Sequence, residues 1–298
     1  MCTKKVKKHW FLRYPLVPAF ILPVFGIIGV ALLAQLLLAG MLTVFGEEIR
    51  AFRALPDVVQ GLVRIFLAVF MIFVMKITNG AQFVFGFCKE RMGQSIFLSS
   101  FSILVAVSNL IEYSTAGLPF HTGFMGISIA LLSGIAPGIF EEVVCRGIVV
   151  NNMMHRWRQK EQYILRTVLA SGLAFGLVHL MNLKNGDVLG TLLQVCYAAA
   201  LGIFFGSVYV RTHNIWGPVI LHSIIDFSAF IFIGEAQTTA YAIASSIAVT
   251  VIYTAAGLYL IRKQKQEEIR ILWEDAMQTN GKQHENYKKA NIKGGTVL

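Results

Sequence analysis

Apolar residues fill most of the chain in runs of roughly 18 to 25 positions, separated by short polar segments. A run of this length crosses a hydrocarbon core of about 30 Å as an α-helix. Transmembrane β-strands would instead appear as short segments of alternating polarity. The pattern therefore predicts an all-α, polytopic membrane helix bundle with about eight transmembrane helices. The predicted spans are roughly 16–44, 58–76, 94–112, 123–150, 164–183, 187–210, 215–234 and 238–261.

The two ends of the chain depart from this pattern. The N-terminal segment MCTKKVKKHW is basic, and the apolar stretch after it is too long for a cleaved signal peptide and has no AxA-like exit. We therefore expect that stretch to remain as the first transmembrane helix. Residues 1–262 are expected to form a transmembrane domain with a motif core at 123–234, and residues 263–298 a polar cytoplasmic tail.

Composition supports the membrane assignment. Hydrophobic residues make up 56% of the chain and charged residues 14%, and the mean hydropathy is +0.64. A soluble globular domain carries about 25% charged residues. We therefore expect a multi-pass protein of the cell membrane, surrounded by the lipid bilayer.

The net charge of +10 is explained by the excess of Lys and Arg that cytoplasmic loops of membrane proteins carry. With the N-terminus inside, the inner segments are richer in basic residues than the outer ones, which places both termini in the cytoplasm. No nucleic-acid-binding motif competes with this explanation, so no nucleic-acid partner is expected. The inner basic residues before the last span are Lys4, Lys5, Lys7, Lys8, Arg13, Lys76, Lys89, Arg91, Arg156, Arg158, Lys160, Arg166 and Arg211, and the outer ones are Arg50, Arg53, Arg64 and Lys184.

Three ionisable residues interrupt the fourth predicted span, where each costs about 2.5 to 3.5 kcal/mol. Glu142 and Arg146 are four positions apart and can pair along one helix face. Glu141 points about 100° away and has no partner on its own helix. Pro137 cannot donate a backbone hydrogen bond, so we expect it to loosen or kink the helix just ahead of Glu141.

Two later spans also carry polar residues at helical spacing. His179 lies one turn after Phe175 in the fifth span, and His222 and Asp226 share a face of the seventh. Taken alone, an intramembrane histidine can serve helix packing. Six polar groups that faced lipid separately would cost about 15 kcal/mol, which favours their convergence on one hydrated cavity. The predicted site residues are Glu141, Glu142, Arg146, His179, His222 and Asp226.

Such a cavity holds the groups that hydrolysis needs. Carboxylate and imidazole side chains can supply a base for a water molecule and donors for a developing oxyanion. The same side chains are ligands for a divalent metal such as Zn. The predicted metal ligands are Glu141, His179, His222 and Asp226.

The three elements together resemble the CPBP family of intramembrane proteases, which includes the CAAX prenyl endopeptidases and the bacterial Abi proteins. The family pattern is EExxxR on one helix, FxxxH on the next, and HxxxN or HxxxD on a later one. The chain has EEVVCR at 141–146, FGLVH at 175–179 and HSIID at 222–226. The resemblance covers about 137–227, and the three motifs stand in the family order on hydrophobic helices.

The resemblance implies an eight-helix core with a water-filled cavity open to the cytoplasmic side. It makes Glu141 the general base that activates a water, with His179 as its partner. It implies that Glu142 either pairs with Arg146 or supports the other site residues without itself activating the water.

The resemblance also implies a role for the third motif. His222 and Asp226 would stabilise the oxyanion or complete a metal site, and both possibilities stay open. Asp226 stands where the CAAX endopeptidases typically have Asn. This difference favours a metal, or a role for Asp226 in orienting the imidazole of His222.

The predicted function is an intramembrane endopeptidase that hydrolyses a peptide bond in a membrane-associated peptide or protein through a Glu/His-activated water. One alternative is a non-hydrolytic membrane partner, such as a bacteriocin-immunity or regulatory protein, that uses the same cavity. A third interpretation is a small-solute or ion transporter, because intramembrane acids and histidines also mark proton pathways.

Overall fold

The computed structural model describes residue 14 and residues 16–46, 54–79, 84–234 and 237–276. The basic N-terminal segment and the end of the predicted tail lie outside these residues. Within the described ranges the regular secondary structure is helical, apart from an isolated antiparallel bridge between Phe120 and Phe232. The prediction of an all-α fold is confirmed.

The helices follow one another with short connections. They are α1 (Leu16–Phe45), α2 (Leu55–Asn79), α3 (Met92–Ser99), α4 (Ile103–Thr115), α5 (Gly123–Glu142), α6 (Asn151–Trp157), α7 (Tyr163–Val178), α8 (Val188–Thr212), α9 (Trp216–Phe230) and α10 (Ala240–Leu260). Short irregular helices continue three of these elements: a 3-10 turn Ser100–Ser102 between α3 and α4, a π-helix Val143–Val150 between α5 and α6, and a 3-10 helix His179–Asn185 after α7.

Seven helical segments of the described chain are long and apolar enough to cross a membrane. They correspond to seven of the eight predicted spans. The remaining predicted span, 215–234, is the 15-residue helix α9. At 1.5 Å per residue it is about 22 Å long, which is shorter than a hydrocarbon core of about 30 Å. The polytopic bundle is confirmed, and α9 is shorter than predicted.

Polar contacts hold α9 at both of its ends. Just before the helix begins, Asn214 Nδ2 donates to the carbonyl oxygen of Cys88 at 2.8 Å. Just after it ends, the amide of His121 donates to the carbonyl oxygen of Ile231 at 2.8 Å. The short helix is therefore fixed between the segment that precedes α3 and the segment that precedes α5.

Glycines let α5 and α9 approach each other closely. A Cβ atom at Gly134 would lie 2.7 Å from the backbone nitrogen of Phe227, and one at Gly138 would lie 2.9 Å from that of Ser223. Residue numbers increase along α5 as those of the contacting residues decrease along α9. The two helices therefore run antiparallel. This packing brings the first and third sequence motifs together.

The helix that carries the first motif stays regular through Pro137 and changes only after Glu142. Pro137 lies inside α5, and the eight residues that follow Glu142 form the π-helix. The expected loosening or kink at Pro137 stays a prediction, and the irregular π-helical turns come after both glutamates. π-Helical turns are rare and occur frequently at functional sites.

The start of the predicted tail is an ordered helix, α11, over residues 263–276. Its residues Ile269 and Trp273 are buried. Trp273 Nε1 donates to the carbonyl oxygen of Val210 near the end of α8 at 2.7 Å. The tail therefore begins as an amphipathic helix that packs on the membrane domain.

Candidate active site

Glu142 lies at the centre of the cluster that the three motifs form. Its Oε1 atom accepts from Arg146 NH1 at 2.7 Å and from Nδ1 of His222 at 2.8 Å. The side chains of Glu142 and Arg146 are 0% and 1% exposed. The predicted pair along one helix face is confirmed, and the same carboxylate also reaches the third motif.

Arg146 is further stabilised by aromatic and backbone contacts. Its guanidinium carbon lies 4.9 Å from the ring centroid of Phe175 and 5.8 Å from that of Phe205. Its NH2 group donates to the carbonyl oxygen of Gly202 at 3.3 Å. Since an ion pair in a low-dielectric interior is favourable only with good geometry and extra hydrogen bonds, these contacts explain how the charge is tolerated.

The other two carboxylates face the opposite nitrogen of the same imidazole. Nε2 of His222 lies 3.8 Å from Oε2 of Glu141 and 3.6 Å from Oδ2 of Asp226. Their side chains are 21% and 23% exposed, in contrast to the fully buried Glu142. The cluster thus has a buried side at Glu142 and a more accessible side at Glu141 and Asp226.

This arrangement fixes the proton on one nitrogen of His222. A carboxylate only accepts hydrogen bonds, so Nδ1 carries the proton that it donates to Glu142. Nε2 faces two further carboxyl groups, so a proton on that nitrogen can be donated toward either of them. The orienting role considered for Asp226 stays a prediction, and the close contact to Nδ1 is made by Glu142.

The ring of Phe175 lies between His179 and His222 and connects His179 to the rest of the site. Its ring lies 5.2 Å from that of Phe175, which in turn lies 5.8 Å from the ring of His222. Nδ1 of His179 is 3.0 Å from the carbonyl oxygen of Phe175. The carbonyl can only accept, so Nδ1 carries the proton, and in the neutral ring Nε2 is a proton acceptor.

The metal prediction gains no support from the donor geometry. Among the residues that the structure describes, no group of three or more His, Cys, Asp or Glu side chains is arranged to hold a metal ion. The predicted ligand set of Glu141, His179, His222 and Asp226 does not fit a metal centre in this arrangement, so no catalytic step is derived through a metal. A metal at these residues stays a prediction.

Sequence reasoning missed several residues that shape the site. Phe205 stacks on the ring of His222 with centroids 6.1 Å apart and planes inclined by 20°. Gly202 packs so closely on α7 that a Cβ atom there would lie 2.9 Å from Cα of Gly172, which explains why its carbonyl can reach Arg146. In the sequence, the Gly202-xxx-Gly206 spacing indicates that this helix can approach a neighbouring helix closely.

Arg64 is a further residue whose position the sequence did not reveal. It was counted among the outer basic residues of the sequence, and the structure places it ten positions into α2. The neighbouring Gly61 packs against α5, since a Cβ atom there would lie 2.7 Å from Cγ of Leu132. Arg64 therefore lies within a candidate membrane span whose helix packs against α5.

Two cavities lie outside the cluster. One, of about 230 Å³, is next to α11 and is lined by Met154, Arg158, Gln159, Tyr163, Arg270, Trp273 and Glu274. The other, of about 520 Å³, is a mainly apolar groove between α3, α8 and α10. Neither is lined by any of the six predicted site residues.

The fold and the site define an α-helical membrane protein with a charged cluster assembled from three helices in its interior. Residues 123–228 match the family model described as Rce1-like, the type II CAAX prenyl endopeptidases. The matched segment contains all three motifs and a little over a third of the chain, and it confirms the resemblance to the CPBP and CAAX proteases. At the level of the family, this implies a CAAX-type protease, a hydrolase of peptide bonds. No curated protein and no solved structure matches the chain.

Proposed function

We propose that the protein is an intramembrane endopeptidase that hydrolyses a peptide bond of a membrane-associated peptide or protein with a water activated by Glu141. The match to the CAAX-type proteases supports the reaction class. The observation that carries the proposal is the position of Nε2 of His222, 3.8 Å from Glu141 and 3.6 Å from Asp226. A base and an electrophilic donor thus face the same small volume.

The spacing of these groups suits a water nucleophile. Two hydrogen bonds of about 2.8 Å can connect one water to both Oε2 of Glu141 and Nε2 of His222, because these atoms are 3.8 Å apart. We assign His179, whose Nδ1 lies 3.0 Å from the carbonyl oxygen of Phe175, as the group that accepts the second hydrogen of the water. Glu141 therefore has the role of general base and His179 that of an orienting partner.

Hydrolysis then proceeds in two steps. The water oxygen bonds to the carbonyl carbon of the scissile peptide while Glu141 takes a proton from the water, and the carbonyl oxygen becomes an oxyanion. The carbon–nitrogen bond then breaks, and Glu141 passes the proton to the leaving amine. The products are a new carboxylic acid and a new amine, and transfer of the acid's proton to the amine gives a carboxylate and an ammonium group, so the atoms and protons balance.

His222 is suited to stabilise the oxyanion. Its protonated Nε2 is a charged donor on the accessible side of the cluster, and the buried Glu142 holds the ring by Nδ1. Preorganised donors of this kind contribute about 10²- to 10³-fold to catalysis. Arg146 binds the same Glu142 oxygen, so this buried carboxylate pairs with both the guanidinium and the imidazole.

Peptide analysis of cells tests the proposal and searches for the substrate. Membranes and medium from cells that express the wild type or Glu141→Gln at matched levels are compared by quantitative mass spectrometry. We expect peptides whose ends depend on the wild-type protein. A Glu161→Gln variant, which changes an exposed glutamate outside the cluster, serves as the control and should give the wild-type pattern.

Identical peptides in the wild type and in Glu141→Gln would contradict the proposal. If the cellular effect of the protein also persisted in Glu141→Gln, the non-hydrolytic membrane partner would be the better interpretation. Proton or solute flux into proteoliposomes that depends on Glu141 would instead favour a transporter.

A further inference from the structure

The surface of the bundle is indented between α3, α8 and α10. The groove has a volume of about 520 Å³, which lies within the range of about 300 to 1,000 Å³ that small-molecule pockets have. Its lining is mainly apolar and includes Phe97, Leu98, Phe101, Phe204, Tyr259 and Leu260. None of the six predicted site residues lines it, so the groove is separate from the cluster around Glu142.

The groove opens toward the surrounding bilayer. Its residues belong to segments that are long and apolar enough to cross a membrane, and the side chains of Phe97 and Tyr259 at its edges are exposed. The bilayer core offers no water to fill such an indentation, and lining atoms without neighbours lose their dispersion contacts. The ligand that suits the groove is therefore a hydrocarbon chain.

The floor of the groove is held in place by aromatic packing. The ring of Tyr253, which is buried in α10, lies 5.3 Å from that of Phe101 and 5.3 Å from that of Phe204. The hydroxyl of Tyr253 donates to the carbonyl oxygen of Phe101 at 2.8 Å. These contacts join all three walls, so the groove is a preformed feature of the fold.

The groove lies near one end of its helices, and that end is basic. Tyr259 and Leu260 are the last two residues of α10, and Phe97 belongs to α3, which begins at Met92. Basic residues next to a membrane attract anionic lipid headgroups. The basic residues beyond these helix ends are Lys89 and Arg91 before α3, and Arg262, Lys263 and Lys265 after α10.

Arg262 lies at the rim of the groove. Its guanidinium carbon is 4.0 Å from the ring centroid of Tyr259, and its NH1 group donates to the carbonyl oxygen of the same residue at 2.8 Å. A guanidinium has five N–H donors, so these contacts hold the group in place and leave donors for a ligand. The planar fork of a guanidinium matches a phosphate group.

The nearby carboxylate of Glu268 binds other cations. Its Oε2 atom lies 3.1 Å from Nζ of Lys265 and 3.8 Å from NH2 of Arg211. Among the residues that the structure describes, Arg262 has no ion-pair partner. Arg211 NH1 also donates to the carbonyl oxygen of Leu260 at 3.1 Å, which places a second guanidinium beside the last turn of α10.

We infer that the groove and Arg262 form a binding site for an anionic phospholipid of the bilayer. One acyl chain lies along the groove, and the phosphate binds the Arg262 guanidinium at the basic end of the bundle. The second guanidinium, that of Arg211, favours a headgroup with a net negative charge over a zwitterionic one. Lipid binding at this site is independent of peptide hydrolysis.

Lipids that stay bound during purification test the inference. The full chain is reconstituted into vesicles that contain equal amounts of phosphatidylglycerol and phosphatidylcholine with the same acyl chains, and is then isolated in a mild detergent. Native mass spectrometry counts the molecules of each lipid that remain on each protein. We expect the wild type to retain one phosphatidylglycerol in preference to phosphatidylcholine.

A substitution at the rim tests the headgroup contact. Arg262→Gln should weaken the binding of phosphatidylglycerol about fivefold, which is the effect of one basic residue near an anionic headgroup. Lys263→Gln is the matched control, because it removes the same charge from an exposed neighbour that does not line the groove. It should stay close to the wild type.

A second pair of variants tests the position of the chain. Ala256→Phe adds a ring inside the groove and should lower the retention of both lipids, whereas Ala255→Phe adds it at an exposed position of α10 outside the groove. All variants are compared as monodisperse samples with measured unfolding temperatures. If Ala256→Phe does not fold, the comparison of Arg262→Gln with Lys263→Gln decides alone.

Three results would overturn the inference. Equal retention of the two lipids by the wild type, or equal losses in Arg262→Gln and Lys263→Gln, would show only a general shell of lipid around the protein. Wild-type retention by folded Ala256→Phe would show that the chain lies elsewhere. A stable dimer that retains neither lipid would indicate that a second copy of the chain covers the groove.

Discussion

Glu142 and His222 are joined by a hydrogen bond of 2.8 Å between Oε1 and Nδ1, although 80 positions separate them in the chain. The same oxygen accepts from Arg146 at 2.7 Å. The buried carboxylate thereby connects the ion pair of the first motif to the imidazole of the third. It both neutralises Arg146 and fixes the ring whose other nitrogen faces Glu141 and Asp226.

Loss of the buried positive charge should destabilise the protein strongly. In Arg146→Met the Glu142 carboxylate remains buried without its guanidinium partner, and breaking such a pair costs about 3 to 5 kcal/mol. Thermal unfolding in detergent should therefore shift to a clearly lower temperature. The double variant Glu142→Gln/Arg146→Met should recover much of this loss, because no unpaired charge remains.

Lys263→Met is the matched control for the charge change, since Lys263 is exposed. It should leave the unfolding temperature close to that of the wild type. An Arg146→Met variant as stable as Lys263→Met would show that the ion pair has no structural role.

The close approach of α5 and α9 gives a second prediction. In Gly138→Ala the new Cβ atom would lie 2.9 Å from the backbone nitrogen of Ser223, so α9 must shift and carry His222 with it. Overpacking of this kind costs about 1 to 3 kcal/mol, and we expect peptide cleavage to fall together with thermal stability. Gly40→Ala is the control, because nothing lies within 4 Å of a Cβ atom there.

The i, i+4 relationships of the site were predictable from the sequence, whereas the contacts between helices were not. Helix geometry alone places Glu142 beside Arg146 and His222 beside Asp226. That Oε1 of Glu142 also binds His222 depends on the glycine packing of α5 on α9, which helical periodicity does not encode. Spacing and chemistry indicated convergence on one site, but not which nitrogen each carboxylate would face.

The sequence was also a poor guide to helix length and regularity. Hydropathy gave 215–234 as a span because apolar residues continue on both sides of α9, but the helix ends at Phe230. Hydropathy does not mark the π-helix after Glu142, because that irregularity depends on how the helix packs rather than on which residues are apolar. Arg64 was counted among the outer basic residues, and the predicted span around it began at 58, three residues after α2 does.

The third prediction separates the roles of His222 and Asp226. His222→Gln removes the charged donor and should lower kcat by about 10²- to 10³-fold, as for the loss of an oxyanion donor. Asp226→Asn keeps the size and a polar group and should retain more activity than Asp226→Ala. Steady-state kinetics on a verified peptide checks this order, and equal losses in Asp226→Asn and Asp226→Ala would show that the charge itself is needed.

The fourth prediction concerns the metal. Because the described donors are not arranged to hold a metal ion, cleavage by the purified protein should be unchanged after dialysis against a strong chelator. Metal content is measured in the same samples. Activity that is lost on dialysis and restored by added Zn would instead support the metal prediction at Glu141, His179, His222 and Asp226.

The central claim is that Glu141 activates a water that hydrolyses a peptide bond. The most direct measurement is cleavage of a verified peptide in heavy-oxygen water by the purified protein in lipid bilayers, with wild type and Glu141→Gln compared at equal folded amounts. We predict that the new carboxyl terminus gains heavy oxygen with the wild type and that Glu141→Gln is slower by about 10²- to 10⁴-fold. Cleavage by Glu141→Gln at the wild-type rate would contradict the account.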